Sequence, residues 1–237
     1  MLAVAHRGYS AVYPENSALA FEKAIEVGAD YIETDLRFSR DGEIVCCHDD
    51  NFERIAGRRE KVADLSVADI QSIQCHDGIE VMVLSTILAI AHGRVRVMLD
   101  VKISTEDMAD RALETVQSSG IEGQVIYGAR APEIARYVKA KCPGIAVLAM
   151  PGKNDKFQNF LNTPIDAFRL YEDALQPEVV SAIEAAGLPL WVTGGRRPDG
   201  EQAGTMTPAR LEQLQTLSVS AVLLNDPTLI TAGKAKP

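Results

Sequence analysis

Leu2-Ala3-Val4-Ala5-His6-Arg7-Gly8 is a short apolar run that stops abruptly on two basic side chains and a glycine. The same grammar recurs along the chain. Tyr31-Ile32 runs into Glu33-Thr34-Asp35-Leu36, residues 43–47 run into His48-Asp49, and residues 95–99 run into Asp100-Val101-Lys102. Further apolar, β-rich runs lie at 125–127, 145–149, 165–170, 188–193 and 221–224. Near-continuous apolar runs of this length, bounded by polar residues, read as buried parallel strands.

Between the runs, apolar residues recur at helical spacing over about 17–27, 84–92, 105–119, 132–141, 176–186 and 207–216. The first pattern carries Leu19, Ala20, Ala24 and Val27 after the start signal Pro14-Glu15-Asn16. Strand and helix therefore alternate through about eight units, from 2–5 to 221–224. This predicts a parallel sheet covered by helices and closed as a TIM (β/α)8 barrel. An open doubly wound sheet is the competing architecture. No GxGxxG loop follows the first strand and no P-loop is present, so nucleotide binding has no support. Residues 49–82 break the rhythm with Arg58-Arg59-Glu60-Lys61 and a helical pattern near 66–73. They read as a small insertion after the second strand, within one domain spanning 1–237. The stretch 150–164 carries no clear pattern, and the tail after Thr231 reads as frayed.

With 46% hydrophobic and 24% charged residues, a 237-residue chain can bury a large core without disulfides. Its 24 Lys and Arg against 33 Asp and Glu give a net charge of −9. That balance excludes broad binding to nucleic acid or an anionic membrane, which needs a basic face. Cys46, Cys47, Cys75 and Cys142 form no CxxC pair, and the adjacent Cys46 and Cys47 would point to opposite sides of a strand. A reduced compartment is expected. The N-terminus lacks a basic, then apolar leader, and no apolar run reaches the ~20 residues of a membrane span. The expectation is a cytoplasmic protein without integral membrane association.

In a barrel of this kind chemistry gathers at the C-terminal ends of the strands. Here His6 and Arg7, Glu33 and Asp35, His48 and Asp49, and Asp100 and Lys102 all end apolar runs. Glu33 and Asp35, as alternate strand residues, share a face. Two carboxylates about 7 Å apart along a strand repel unless a cation or strong donors lie between them. Joined by Asp100 from another strand, they would form a hard oxygen site suited to Mg²⁺ or Ca²⁺. The competing reading pairs the same acids with Arg7, Arg37 and Lys102 in a structural network. His6 and His48 invite acid–base chemistry because imidazole titrates near neutral pH. His76, in the insertion, and His92, before Gly93 at a helix end, fit packing and dipole roles instead. Trp191, the one tryptophan, reads as a pocket wall or as core.

These residues form a series. His6-Arg7-Gly8, Pro14-Glu15-Asn16-Ser17, Gly28-Ala29-Asp30-Tyr31-Ile32-Glu33-Thr34-Asp35, Asp41-Gly42 and His48-Asp49 occur in the order and spacing of the glycerophosphodiester phosphodiesterase family. The chain resembles that family densely over 3–50. Asp100-Val101-Lys102, Trp191 and Asn225-Asp226-Pro227 carry the resemblance on to about 227. It implies a TIM barrel that uses a divalent cation to hydrolyse a small glycerophosphodiester to glycerol 3-phosphate and an alcohol. By the same resemblance Glu33, Asp35 and Asp100 would hold the metal, His6 and His48 would exchange protons, and Arg7 and Lys102 would hold phosphate oxygens. Trp191 would wall the substrate pocket. The reaction would run through attack by the glycerol hydroxyl, giving a cyclic phosphate that water opens. Such a site suits an anionic diester, because cations must neutralise the charge that develops on phosphorus. A metal beside Arg7 and Lys102 would outweigh three carboxylates, so the acidic total does not oppose a small phosphodiester.

The chain also departs from the family pattern. Asp100 stands where glutamate is usual, Tyr127-Gly128-Ala129 replaces a Ser-Phe pair, and Val192-Thr193-Gly194-Gly195 follows Trp191. Asp-x-Lys also occurs in the related sphingomyelinase D-type phospholipases, which stop at the cyclic phosphate. The alternatives are therefore a lyase releasing cyclic phosphate, or a barrel that binds a phosphorylated ligand without turnover. An isomerase or aldolase is less suited, since Lys102 beside an acid stays charged.

Overall fold

The computed structural model describes residues 1–76, 78–152, 157–195 and 200–232. In chain order it begins with strand β1 (Leu2–Ala5), helix α1 (Ala18–Glu26) and strand β2 (Tyr31–Phe38). An excursion follows: β3 (Ile44–Cys46), β4 (Asn51–Phe52), α2 (Glu53–Ala56), β5 (Arg58–Lys61) and α3 (Val67–Gln71). The alternation resumes with α4 (Leu84–Ala91), β6 (Arg96–Val101), α5 (Glu106–Ser119), β7 (Val125–Ala129) and α6 (Pro132–Lys141). It closes with β8 (Ala146–Ala149), α7 (Gln158–Leu161), β9 (Ala167–Tyr171), α8 (Pro177–Ala185), β10 (Leu190–Thr193), α9 (Pro208–Thr216), β11 (Ala221–Leu224) and α10 (Thr228–Thr231).

Eight parallel strands close a ring in the order β1-β11-β10-β9-β8-β7-β6-β2, sealed by pairing of β2 with β1. The TIM barrel expected from the alternation is the fold. β3 lies outside the ring and runs antiparallel to the far half of β2, with Leu36 opposite Cys46 and Phe38 opposite Ile44. The reason is length. β2 has eight residues and β1 four, so β2 outruns its neighbour and offers a free edge.

The helices lie outside because their apolar residues fall on one stripe. In α5 the buried set is Met108, Ala109, Ala112, Leu113 and Val116, and in α4 it is Leu84, Ile87, Leu88 and Ala91. Each buried Leu, Ile, Val or Met side chain contributes about 1.5–3 kcal/mol. Caps fix the ends of α5: the Thr105 side chain accepts from Met108 N, and Gly120 closes the helix in the left-handed region. Alternation splits each barrel strand between two cores. Val4, Tyr31, Met98, Leu148, Trp191 and Leu223 share the barrel interior, while Ala3, Ile32, Val97, Leu99 and Val147 join the layer under the helices.

The excursion builds a third small core from Val45, Cys47, Phe52, Val62, Ile70, Ile73 and Val81. Its charged run Arg58–Lys61 is the exposed strand β5. Cys46 packs under the helices and Cys47 in the excursion's core, on opposite sides as their adjacency required. In the stretch without a pattern, 150–164, a short helix α7 forms, and 153–156 lie outside the described residues. Of the tail that reads as frayed, 233–237 also lie outside them. No described helix is long and apolar enough to cross a membrane.

Candidate active site

His6 is the first residue past β1, its N–H still bonded to Leu224 O at 3.0 Å. Arg7 then enters the left-handed region at φ 57° and Gly8 follows at φ 82°. Residue 8 has to be glycine, since a Cβ there would stand 2.7 Å from the Ala20 carbonyl carbon. The non-glycine left-handed turn costs about 1–2 kcal/mol, and it aims Arg7 at the acids of β2. Arg7 N donates to Glu33 Oε2 at 2.8 Å, while its guanidinium reaches Glu15 Oε2 at 3.0 Å and Asp35 Oδ2 at 3.1 Å.

Glu33, Asp35 and Asp100 are buried, and each offers an oxygen within 4.8 Å of the others. Asp35 receives Asn16 Nδ2 at 3.1 Å and faces Lys102 Nζ at 2.7 Å; Asn16 is held in turn by Thr34 Oγ1 at 2.9 Å. Asp100 accepts on both oxygens, from Lys102 Nζ at 2.6 Å and from the Arg130 fork at 2.6–3.1 Å. Glu33 differs: its Oε1 is buried without a hydrogen-bond partner, and it makes no ion pair among the described residues. Burial, then the charges of Asp35 and Asp100, push its carboxyl well above the usual carboxylate range. For Asp100 burial works the same way, but Lys102 and Arg130 overcome it and hold the group far below that range. An orphaned carboxylate oxygen beside two further carboxylates is a donor set that fits a hard divalent cation. The network reading is partly realised too, with Arg7, Lys102 and Arg130 as the cations. Arg37 takes no part in it, donating instead to the His48 carbonyl at 3.0 and 2.7 Å.

Both histidines present Nδ1 to an acceptor. His6 Nδ1 is 2.8 Å from Asn225 Oδ1, and Asn225 Nδ2 donates to Ala203 O at 3.2 Å. That orientation of the amide makes His6 Nδ1 the donor and leaves a lone pair on Nε2. Gly204 (φ 86°) makes room for the pair, since a Cβ there would come within 2.7 Å of His6 Nδ1. Burial, then the nearby Arg7 charge, lowers the His6 pKa to about 4. His48 is more exposed. Its Nδ1 is 2.8 Å from Asp49 Oδ1, and Arg54 Nε holds the other oxygen of Asp49 at 2.7 Å. The same arginine grips both oxygens of Glu15 at 2.7 and 2.9 Å. A cavity of about 410 Å³ opens beside His48, between the loop around Tyr13 and the excursion residues Ile55, His76 and Val81.

The structure thus gathers the carboxylates Glu33, Asp35 and Asp100 with Arg7 and Lys102, sets His6 beside Arg7, and brings His48 to the rim through Arg37 and Arg54. It sets Trp191 apart. Trp191 is the second residue of β10, level with Leu2 and Ala221 at strand starts, and meets Tyr31 edge to face at 5.0 Å. It is 4% exposed and packs inside the apolar barrel core. Residues that sequence reasoning left without a role are Asn16, Asn225, Arg54, Arg130 and Arg169. Arg169 had a signal: a lone arginine inside the apolar run 165–170.

Comparison with known proteins follows the same lines. The model of the glycerophosphoryl diester phosphodiesterase family matches residues 6–146. The uncharacterized protein YqiK of Bacillus subtilis is 35% identical over 133 residues, covering 52% of this chain and 55% of that protein. A glycerophosphodiester phosphodiesterase of Caldanaerobacter subterraneus is 39% identical over 72 residues, 30% of each chain. The matched stretch therefore spans about half the length of the first relative and less of the second. An Oleispira antarctica phosphodiesterase, solved with its product sn-glycerol-3-phosphate, matches with a TM-score of 0.83 at 18% identity, over 98% of this chain and 96% of that one. At that identity the likeness is one of fold.

Proposed function

The chain belongs to the glycerophosphoryl diester phosphodiesterase family, and from that premise we propose a divalent-cation-dependent phosphodiesterase that converts glycerophosphodiesters to glycerol 3-phosphate and an alcohol. The observation that carries the reading is the carboxylate trio Glu33, Asp35 and Asp100, with Glu33 Oε1 buried and unpartnered. These three would hold the cation, Mg²⁺ or Ca²⁺. When bound, it supplies positive charge against the charge developing on the phosphoryl oxygens.

The chain's own groups do the rest. Lys102 has three N–H donors and faces two carboxylates, which leaves one for a phosphate oxygen. Arg7 stands beside it against Asp35 and holds the phosphate from the other side. His6, neutral at pH 7, takes the proton of the attacking glycerol hydroxyl on Nε2. His48, held by Asp49 at Nδ1, delivers a proton from Nε2 to the leaving alcohol, which has room in the cavity beside it. In the second step the roles reverse: His48 takes a proton from water, and His6 returns one to the glycerol oxygen. Residues 1–237 act as one phosphodiesterase domain, with 49–82 as an insertion that carries Arg54 to the rim.

The test is to incubate the protein with glycerophosphocholine and follow phosphorus NMR in Mg²⁺, in Ca²⁺ and in chelator. Glycerol 3-phosphate forming only with metal is the expected result. Accumulating cyclic phosphate would replace hydrolysis by the lyase reaction, and turnover undiminished in chelator would remove the metal.

A further inference from the structure

Arg169 is 2% exposed and is the third residue of β9. Ala167, two residues earlier, belongs to the barrel interior, so alternation turns Arg169 inward as well. Its guanidinium lies 4.2 Å from the Tyr171 ring, yet Nε and Nη1 are buried without a hydrogen-bond partner among the described residues. It is near enough to Asp100 to stabilise that charge but makes no hydrogen bond or ion pair with it, both Asp100 oxygens accepting instead from Lys102 and Arg130. The acids of the site therefore do not use its fork.

The charge balance points the same way. Glu33, Asp35, Asp100, Glu15 and Asp49 face five cations, Arg7, Lys102, Arg130, Arg54 and Arg169, and of these only Arg169 has no ion pair among the described residues. A divalent ion would add two further charges, and a simple diester brings one negative charge. β9 stands four strands from β2 in either direction round the ring, and Arg169, in register with Trp191 of β10, is near enough to the carboxylates to act on the charge of Asp100. A planar N–H fork that is buried and unsatisfied is completed best by a carboxylate or phosphate.

We propose that Arg169 is a substrate-binding residue for a second anionic group, so that the preferred diester carries an extra phosphate or carboxylate on the half that reaches across the barrel. This rests on the phosphodiesterase reading and narrows its substrate class.

The test compares glycerophosphoglycerol with the same diester bearing one phosphate monoester on a terminal hydroxyl. Both alcohols are glycerol, so the second anion is available whichever half spans the mouth. Wild type is expected to favour the phosphate-bearing diester at least tenfold in kcat/KM with Mg²⁺, and Arg169→Met to bring the two within about twofold. Equal kcat/KM in wild type, or a preference that survives Arg169→Met, overturns the proposal. If Arg169→Met does not fold, Arg169→Lys keeps the charge without the fork, and a preference less than threefold below wild type overturns it. Should neither diester be hydrolysed, the phosphodiesterase reading fails and equilibrium binding of the two compounds in chelator decides. A tenfold affinity difference that the variant removes upholds the assignment of Arg169, and equal affinities end it.

Discussion

At the floor of the barrel Tyr31 and Trp191 meet edge to face at 5.0 Å, and the Arg96 guanidinium lies over the Tyr31 ring at 4.1 Å. Two and four residues further along the strand that begins with Tyr31 come Glu33, whose buried Oε1 has no hydrogen-bond partner, and Asp35, held by Lys102 and Arg7. The same contrast holds on β10, with Trp191 packed below and Thr193 Oγ1 buried and unpartnered above. Floor and mouth share strands, alternation and degree of burial. They differ in whether burial is compensated. The floor lowers the free energy of the fold, whereas the mouth gathers like charges and unpaired polar atoms that destabilise it until a ligand arrives.

Four substitutions would break or sharpen that contrast. His6→Ala and His48→Ala, at the mouth, should each reduce turnover of glycerophosphocholine by about 10³-fold, the usual scale of acid–base catalysis. Thermal melts should show the fold retained. A variant keeping a tenth of wild-type turnover would take its histidine out of the mechanism.

Trp191→Ala, at the floor, should behave oppositely. Removing a buried aromatic costs about 3–5 kcal/mol of stability, read by urea unfolding, with KM of the folded fraction unchanged. A tenfold rise in KM without loss of stability would return Trp191 to the substrate pocket.

Glu33→Gln should separate the two regions most finely. It should abolish the response to metal and yet stabilise the metal-free protein by about 1 kcal/mol at pH 7. The sign follows from linkage. The carboxyl of Glu33 is raised in the folded state, so the unfolded chain gives up its proton first and the folded state is increasingly penalised as pH rises above the ordinary glutamate value. The gap between Glu33→Gln and wild type in chelator should therefore grow from pH 4 towards neutral, measured by melts across pH. A gap of zero, or of opposite sign, would mean that Glu33 is already compensated and is no metal-ready acid.

Much of the mouth was legible in advance, for a local reason. The period of two along a strand is covalent geometry, so Glu33 and Asp35 had to share a face, and the end of an apolar run marks the end of a strand. The helices at 105–119 and 132–141 were equally plain, because their apolar stripes, the Thr105 cap of the first and Pro132 at the start of the second are local signals. What escaped was level and convergence. Trp191 sits within the run 188–193, and whether such a residue reaches floor or mouth depends on the stagger between strands. Arg130 pairs with Asp100, and Arg169 comes near it, only because the ring brings β6, β7 and β9 around one interior.

The sequence by itself determined the alternation of strand and helix, the barrel it implies, and which residues end which strands, since all of these follow from short-range periodicity. Only the tertiary structure decided that β3 leaves the ring, that Asn225 orients His6, that Trp191 packs against Tyr31, and that Arg169 Nε and Nη1 find no hydrogen-bond partner among the described residues. Those outcomes join residues far apart in the chain, and register and closure, which no local pattern encodes, set where their side chains meet.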